Sequence, residues 1–323
     1  MRIWPRRGRA PGKRQVAAGG NGGGGGAGAG GGGAGGGPAR HKVRPGFEVP
    51  ARLSSPAGRP LRGEGQWRVL YEVGGVPAVY ATYLRPDKIH TSYVDAVVSM
   101  NTHLLRFELR PGAEDPGPGR YGGVQPVIGP GRRRGLVATF NGGFKIASAG
   151  GGFWLNGTRR GALVKGAASM VYDRDGSLRI GVWGRGLHLT RDVEGVRQNL
   201  KLIISGGRIP ASVNTDVQSN WGATLVGAYY VWRSGVGVTA DGRIIFAYGP
   251  ALDARTLAGL LRRAGCVTAM ELDINPDWTD FMYYKLGHHP GDPTPVALLP
   301  NEVQPATRYY YLANRDFTSV FAR

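Results

Sequence analysis

Cysteine is almost missing from this chain. Cys266 is the only one in 323 residues, so no internal disulfide framework can form. Acidic residues are also scarce, 22 against 41 basic ones, for a formal net charge of +19. Lysine is rare as well, since all but seven of those 41 are arginine. No run of about 18 apolar residues exists, so no transmembrane helix is expected. The six histidines show no zinc-ligand spacing with Cys266 or with one another. Neither a G-x-S-x-G elbow nor a Walker phosphate loop is present. The 56 glycines have no three-residue period, which excludes collagen. With 22 prolines they also exclude a long coiled coil. The hydrophobic fraction of 41% still suffices for one sizeable core.

The charge is unevenly spread. Residues 1–62 hold 12 basic side chains and one acid, Glu48. Gly19 to Gly37 contains 15 glycines in 19 residues, too little apolar surface to fold. Residues 1–62 are therefore expected to form a disordered, basic, Gly-rich tail, and residues 63–323 the folded domain. Such a tail can contact polyanions without specificity. It carries no base-reading motif, so no specific nucleic acid is expected. The start, Met1 to Arg7, has the charge of a signal-peptide n-region but no apolar segment after it. Localisation therefore stays open at this point.

From Gly65 strand signals dominate. Gln66–Val73 and Val76–Leu84 flank Gly74-Gly75, a hairpin pattern. Leu105–Leu109 alternates with period two. Gly135–Phe140 is an apolar run ending at Asn141-Gly142-Gly143. Val236–Thr239 and Arg243–Tyr248 flank a turn at Asp241-Gly242. One helix is expected after an N-cap at Asp253, with Leu257, Leu260 and Leu261 at helical spacing and Gly265 as its stop. Many strands and few helices predict an α+β domain with a strand-rich mixed sheet.

Four segments can carry chemistry. Asn141-Gly142-Gly143-Phe144-Lys145 follows a strand and can turn N–H groups toward an oxyanion, or can be a plain turn. Ser205-Gly206-Gly207-Arg208 repeats the pattern, with the same two readings. Arg233-Ser234 lies on a strand, where the guanidinium fork can grip a phosphate or pair with a carboxylate. Met270-Glu271-Leu272-Asp273 brings two acids, two positions apart, to one face of a strand. Burying them is costly unless they are paired, and mutual repulsion pushes their pKa values apart. Asp273-x-Asn275-x-Asp277 also mimics the start of a calcium loop. Trp278 stands where its glycine belongs and Tyr284 where its glutamate belongs, so an EF-hand is not expected. No cofactor is expected, while a divalent metal held by other means stays open.

The order of these motifs resembles the phosphodiester glycosidase family. The resemblance lies in Asn-Gly-Gly-Phe at 141–144, Ser-Gly-Gly-Arg at 205–208, Arg-Ser-Gly-Val-Gly at 233–237, Asp241-Gly242-Arg243, a helix, and then Leu272-Asp273. It covers about residues 135–280 and looks closest to the actinobacterial branch, where Met-Glu-Leu-Asp-Ile-Asn-Pro follows the Arg-Ser-Gly block. The chain departs from the family where Ile274, Asn275 and Pro276 replace a glycine triplet.

The resemblance implies a hydrolase that splits a sugar-1-phosphodiester of an envelope glycan or glycolipid, acting in the envelope or outside the cell. It implies Arg233 on the phosphate, with Asp273 and Glu271 as base or nucleophile and its partner. It implies Asn141, Gly142, Gly143, Phe144, Ser205, Gly206, Ser234, Asn275 and Trp278 as substrate contacts. Two other readings stay open: a non-catalytic glycan- or polyanion-binding module, and a metal-dependent phosphodiesterase that cleaves P–O.

Overall fold

The structure, a computed structural model, describes residues 48–214, 218–224, 228–287, 289 and 291–323. The expected tail up to residue 47, with its Gly19–Gly37 linker, lies outside the described residues.

β1 (Arg68–Val73) and β2 (Val76–Leu84) pair as the expected hairpin, with Gly74 and Gly75 at φ 57° and 78°. β3 (Asp95–Met100) and β4 (Leu105–Arg110) follow. β5 (Leu136–Asn141) is the apolar run that ends at the Asn-Gly-Gly turn. Then come β6 (Phe153–Leu155), β7 (Thr158–Arg160), β8 (Ala168–Asp173), β9 (Leu178–Val182) and β10 (Val193–Gln198). β11 (Leu202–Ile204) precedes a single helical turn, α1 (Gln218–Trp221). β12 (Val231–Thr239) and β13 (Ile244–Leu252) form a hairpin, followed by α2 (Ala254–Arg263) and β14 (Cys266–Glu271). β15 (Phe281–Lys285), β16 (Thr294–Ala297) and β17 (Phe317–Ala322) complete the order.

The strands make three antiparallel sheets. The first runs β1-β2-β3-β13-β12-β14-β11, the second β7-β6-β10-β8-β9 and the third β16-β15-β5-β17-β4. With only one helix longer than a single turn among the described residues, this is the expected strand-rich α+β domain.

α2 covers one face of the first sheet. Its N-terminus is a capping box: Thr256 N–H donates to Asp253 Oδ1 at 2.6 Å, and Asp253 N–H donates to Thr256 Oγ1 at 2.8 Å. Leu257, Leu260 and Leu261 are buried against the sheet together with Ile203, Ile245 and Ala269. Each such leucine contributes about 1.5–3 kcal/mol through burial. Gly235 of β12 lets the helix come this close, because a Cβ there would lie 3.1 Å from both Leu257 and Leu261. On the opposite face, Phe246 of β13 meets Phe140 of β5 at 4.9 Å and Phe281 of β15 at 5.5 Å between ring centroids. The first and third sheets are thereby packed face to face.

Packing begins upstream of residue 63, where the domain is expected to start. Leu53 joins the core under α2, and its N–H donates to Gly65 O at 2.9 Å. The buried Glu64 carboxylate accepts from Ser55 Oγ at 2.6 Å and from the Arg85 guanidinium at 3.1 Å. A short apolar anchor and one satisfied carboxylate thus attach a stretch whose composition reads as tail.

Candidate active site

Three chain segments converge where the first and third sheets meet. β5 delivers Asn141 to Phe144, β14 delivers Leu272 to Trp278, and Arg315-Asp316 precede β17. They converge because β17 pairs with β5 in register Phe317 to Asn141, while Ser234 of β12 hydrogen-bonds both Asn141 and Asp273. Between them opens a cleft of about 720 Å³, with Phe144, Lys145, Asp273, Asn275, Trp278 and Arg315 among its walls.

Asp273 is the carboxylate of this cleft. Its Oδ1 accepts from the N–H groups of Ile274 at 2.8 Å and Asn275 at 3.0 Å. Its Oδ2 faces Arg315 Nη2 at 3.5 Å. Burial raises its pKa to about 6, against the lowering effect of the Arg315 charge and the two N–H groups.

Arg315 has no counterpart among the expected site residues. Its Nη2 donates to Gly143 O at 2.8 Å, and its Nε lies 3.4 Å from Asp115 Oδ2. Its guanidinium carbon sits 5.2 Å from the Trp278 ring centroid, with that of Arg308 at 5.0 Å. Trp278 is thus a half-buried indole with two cations near its ring. Lys145 and Ser148 are exposed on the cleft wall.

Arg233 and Glu271 lie together but outside the cleft lining. Both are buried, and they form an ion pair with each other. Arg233 also donates to Leu252 O at 3.0 Å and to Trp221 O at 3.2 Å. Its guanidinium, expected on the phosphate, is engaged by one carboxylate and two carbonyls. Burial raises the Glu271 pKa to about 7, opposed by Arg233 and assisted by the Asp273 charge. Its Oε2 is buried without a hydrogen-bond partner.

The Asn141–Phe144 turn is built as a support. Asn141 donates to Ser234 Oγ at 3.0 Å and to Gly142 O at 2.8 Å. The Gly142 N–H donates to Asp316 O at 3.0 Å, and the Phe144 N–H to Asn199 Oδ1 at 3.1 Å. These two donors are not aimed at a ligand. The buried pair Arg197–Asp316 closes the back of the turn, with Arg197 Nε 2.8 Å from Asp316 Oδ2 and Nη2 on Phe144 O. Asn199 Nδ2 then bridges to Glu271 O at 2.8 Å and Leu272 O at 3.0 Å. Of the residues implied on this turn, only Phe144 reaches the cleft wall. Ser234 instead positions Asp273, accepting the Asp273 N–H at 3.2 Å.

Ser205 and Gly206 are elsewhere. They form an exposed turn in which Ser205 and Arg208 exchange two backbone hydrogen bonds of 3.0 Å, and Gly207 N–H donates to Val267 O at 2.8 Å. Val267 is at the opposite end of β14 from Asp273, about 20 Å away at strand rise. These two expected substrate contacts thus lie in a strand connection, apart from the cleft.

Among the described residues, no three His, Cys, Asp or Glu side chains gather in a way that could hold a metal ion. Asn275 Oδ1 accepts the Asp277 N–H at 2.9 Å, so this triplet shapes a turn after Asp273.

In sequence, no protein-family profile and no curated protein matches this chain. In structure, the chain is similar to the catalytic domain of zebrafish N-acetylglucosamine-1-phosphodiester alpha-N-acetylglucosaminidase, auto-inhibited by its pro-peptide. That match has 12% identity and a TM-score of 0.47, covering 87% of this chain and 96% of the other. It is also similar to a hypothetical protein from Synechocystis, at 11% identity and a TM-score of 0.42, covering 77% of this chain and 63% of that one.

The sequence signal for the missed residues is thin. Arg315-Asp316 stands directly before a fully buried strand segment, Phe317 to Phe321, and a charged pair at the start of a buried strand must find partners.

Proposed function

We propose that this chain is a hydrolase of glycosyl phosphodiesters, releasing a sugar and a phosphomonoester. The observation that carries the reading is the 3.5 Å approach of Asp273 and Arg315 in the wall of an open cleft, with Trp278 beside them. A phosphodiester brings one negative charge, which the Arg315 guanidinium can meet. A sugar ring brings an apolar face, which suits the indole of Trp278. Asp273, ionised above about pH 6, is placed to attack the anomeric carbon or to take a proton from water. The bond between the anomeric carbon and oxygen breaks, water supplies the hydroxyl, and the phosphomonoester leaves with its charge stabilised by Arg315 and by Lys145 on the cleft wall. A phosphomonoester is a weak base, so its departure needs little acid assistance.

Glu271 and Arg233 act through position. Glu271, held by Arg233, precedes Asp273 by two residues, and the negative charge of Asp273 adds to the raised pKa of Glu271. The motif order that resembles the phosphodiester glycosidases supports the same reading, with Arg315 in the role that the resemblance assigned to Arg233. Substrates on an envelope glycan or glycolipid are the class proposed.

Phosphorus NMR on a panel of sugar-1-phosphodiesters in ¹⁸O-water tests this. Free sugar with an unlabelled phosphomonoester is the expected result. Label in the phosphate would mean P–O cleavage and would overturn it. No turnover across the panel would point to a glycan-binding module instead.

A further inference from the structure

A second concave site lies on the third sheet, about 20 Å along β17 from Arg315 at strand rise. This groove, of about 360 Å³, is lined by Arg106, Arg110, Arg132, Arg134, Glu108 and Phe321, with Gly131 at its edge. The lining therefore holds four guanidinium groups and one carboxylate. Arg106 pairs with Glu108 Oε1, and Arg110 Nη2 lies 3.0 Å from Glu108 Oε2. Arg110 is 2% exposed and is fixed from behind, donating to Ser319 Oγ at 2.8 Å and Val127 O at 3.3 Å. Phe321 forms an aromatic wall, its ring 4.5 Å below the Arg106 guanidinium carbon.

Arg132 and Arg134 are exposed on the loop above. The middle member of the triplet, Arg133, turns away to stack on Tyr310 at 3.5 Å and to donate to Ile128 O at 3.1 Å. A run of three like charges is thus divided, with its two outer members directed to the groove. Burial lowers the Arg110 pKa, and the charges of Arg132 and Arg106 add to that effect while Glu108 opposes it. Positive charge held this closely in a concavity favours an incoming anion.

We propose that this groove binds a phosphate group carried on a polyanionic chain. The site is separate from the cleft, and the proposal does not depend on the hydrolase reading. Planar guanidinium forks on two sides match phosphate oxygens in bidentate fashion. Four guanidinium groups against one carboxylate leave the lining with a net excess of positive charge, which favours an incoming anion.

The test is calorimetric titration of the full chain at low salt with two probes, inorganic pyrophosphate and a glycerol-phosphate oligomer. The variants are Arg132→Gln with Arg134→Gln, and, as a control of equal charge, Arg6→Gln with Arg7→Gln near the N-terminus. The oligomer should bind more tightly than pyrophosphate. The groove pair should weaken both by about tenfold or more, the effect of losing charge-assisted contacts. The control pair, an equal change of charge elsewhere in the chain, should weaken them by no more than about threefold. Equal losses in both variants, or no binding at all, would overturn the site. Pyrophosphate binding as tightly as the oligomer would overturn the chain-borne ligand.

Discussion

Arg315 and Asp273 approach to 3.5 Å although 42 residues separate them in the chain. This pair sets the first prediction. Asp273→Asn keeps the acceptor that Ile274 and Asn275 N–H use, so the turn should survive and the melting temperature should stay within a few degrees. Turnover of a sugar-1-phosphodiester should nevertheless fall by about 10³-fold or more. Arg315→Lys keeps the charge but loses the fork, and should raise KM more than it lowers kcat.

The pH profile should separate the same two residues. Asp273 must be ionised to act, so kcat/KM should rise with pH through about 6. Arg315 lowers the Asp273 pKa. Arg315→Gln removes that effect and should move the acid limb to higher pH. An acid limb that stays in place would show that another group titrates.

Stability should depend on pH in the opposite sense. Burial raises Glu271 to about 7 and Glu302 to about 8, both above the usual carboxylate value of 4.5. Both hold their protons longer in the folded chain than in the unfolded one. Their contribution is complete below the unfolded pKa and is lost as pH rises through the folded values. The melting temperature should therefore fall between about pH 5 and pH 8.5. Glu302→Gln should flatten the upper part of that decline, as scanning calorimetry across this range would show.

The buried pair below the cleft is a matter of folding. Arg233→Ala leaves Glu271 buried without its cation, at a cost of about 3–5 kcal/mol. Replacing both, as Arg233→Met with Glu271→Leu, should recover much of the loss in urea unfolding. A single variant of native stability with a raised KM would return Arg233 to the substrate.

Gly142 supports the site through the space it leaves. A Cβ there would lie 2.1 Å from Asp316 Oδ2. Gly142→Ala must displace Asp316 from Arg197, and should cost about 1–3 kcal/mol or more as well as most of the activity. Gly129→Ala meets nothing within 4 Å and should be close to neutral by the same thermal melt.

The local elements were readable from adjacent residues. The Gly74-Gly75 hairpin, the capped helix after Asp253 and the apolar strand that delivers Glu271 follow from turn chemistry and periodicity over a few neighbours. So does the need of Glu271 and Asp273 for partners, because two acids at the end of an apolar strand are buried with it. Three-residue strands such as β6, β7 and β11 are too short to display a period, and they emerge only through their pairing.

Which cation meets which carboxylate was decided by tertiary structure alone. The sequence marked Arg233 as a candidate, but strand register places it against Glu271 and leaves the cleft to Arg315. It marked Ser205-Gly206 by their likeness to Asn141-Gly142, yet antiparallel pairing puts that turn at the far end of β14. Periodicity and turns are properties of neighbours along the chain. The partner of a buried charge depends on the register between strands remote in sequence, and that register is fixed only when the three sheets pack.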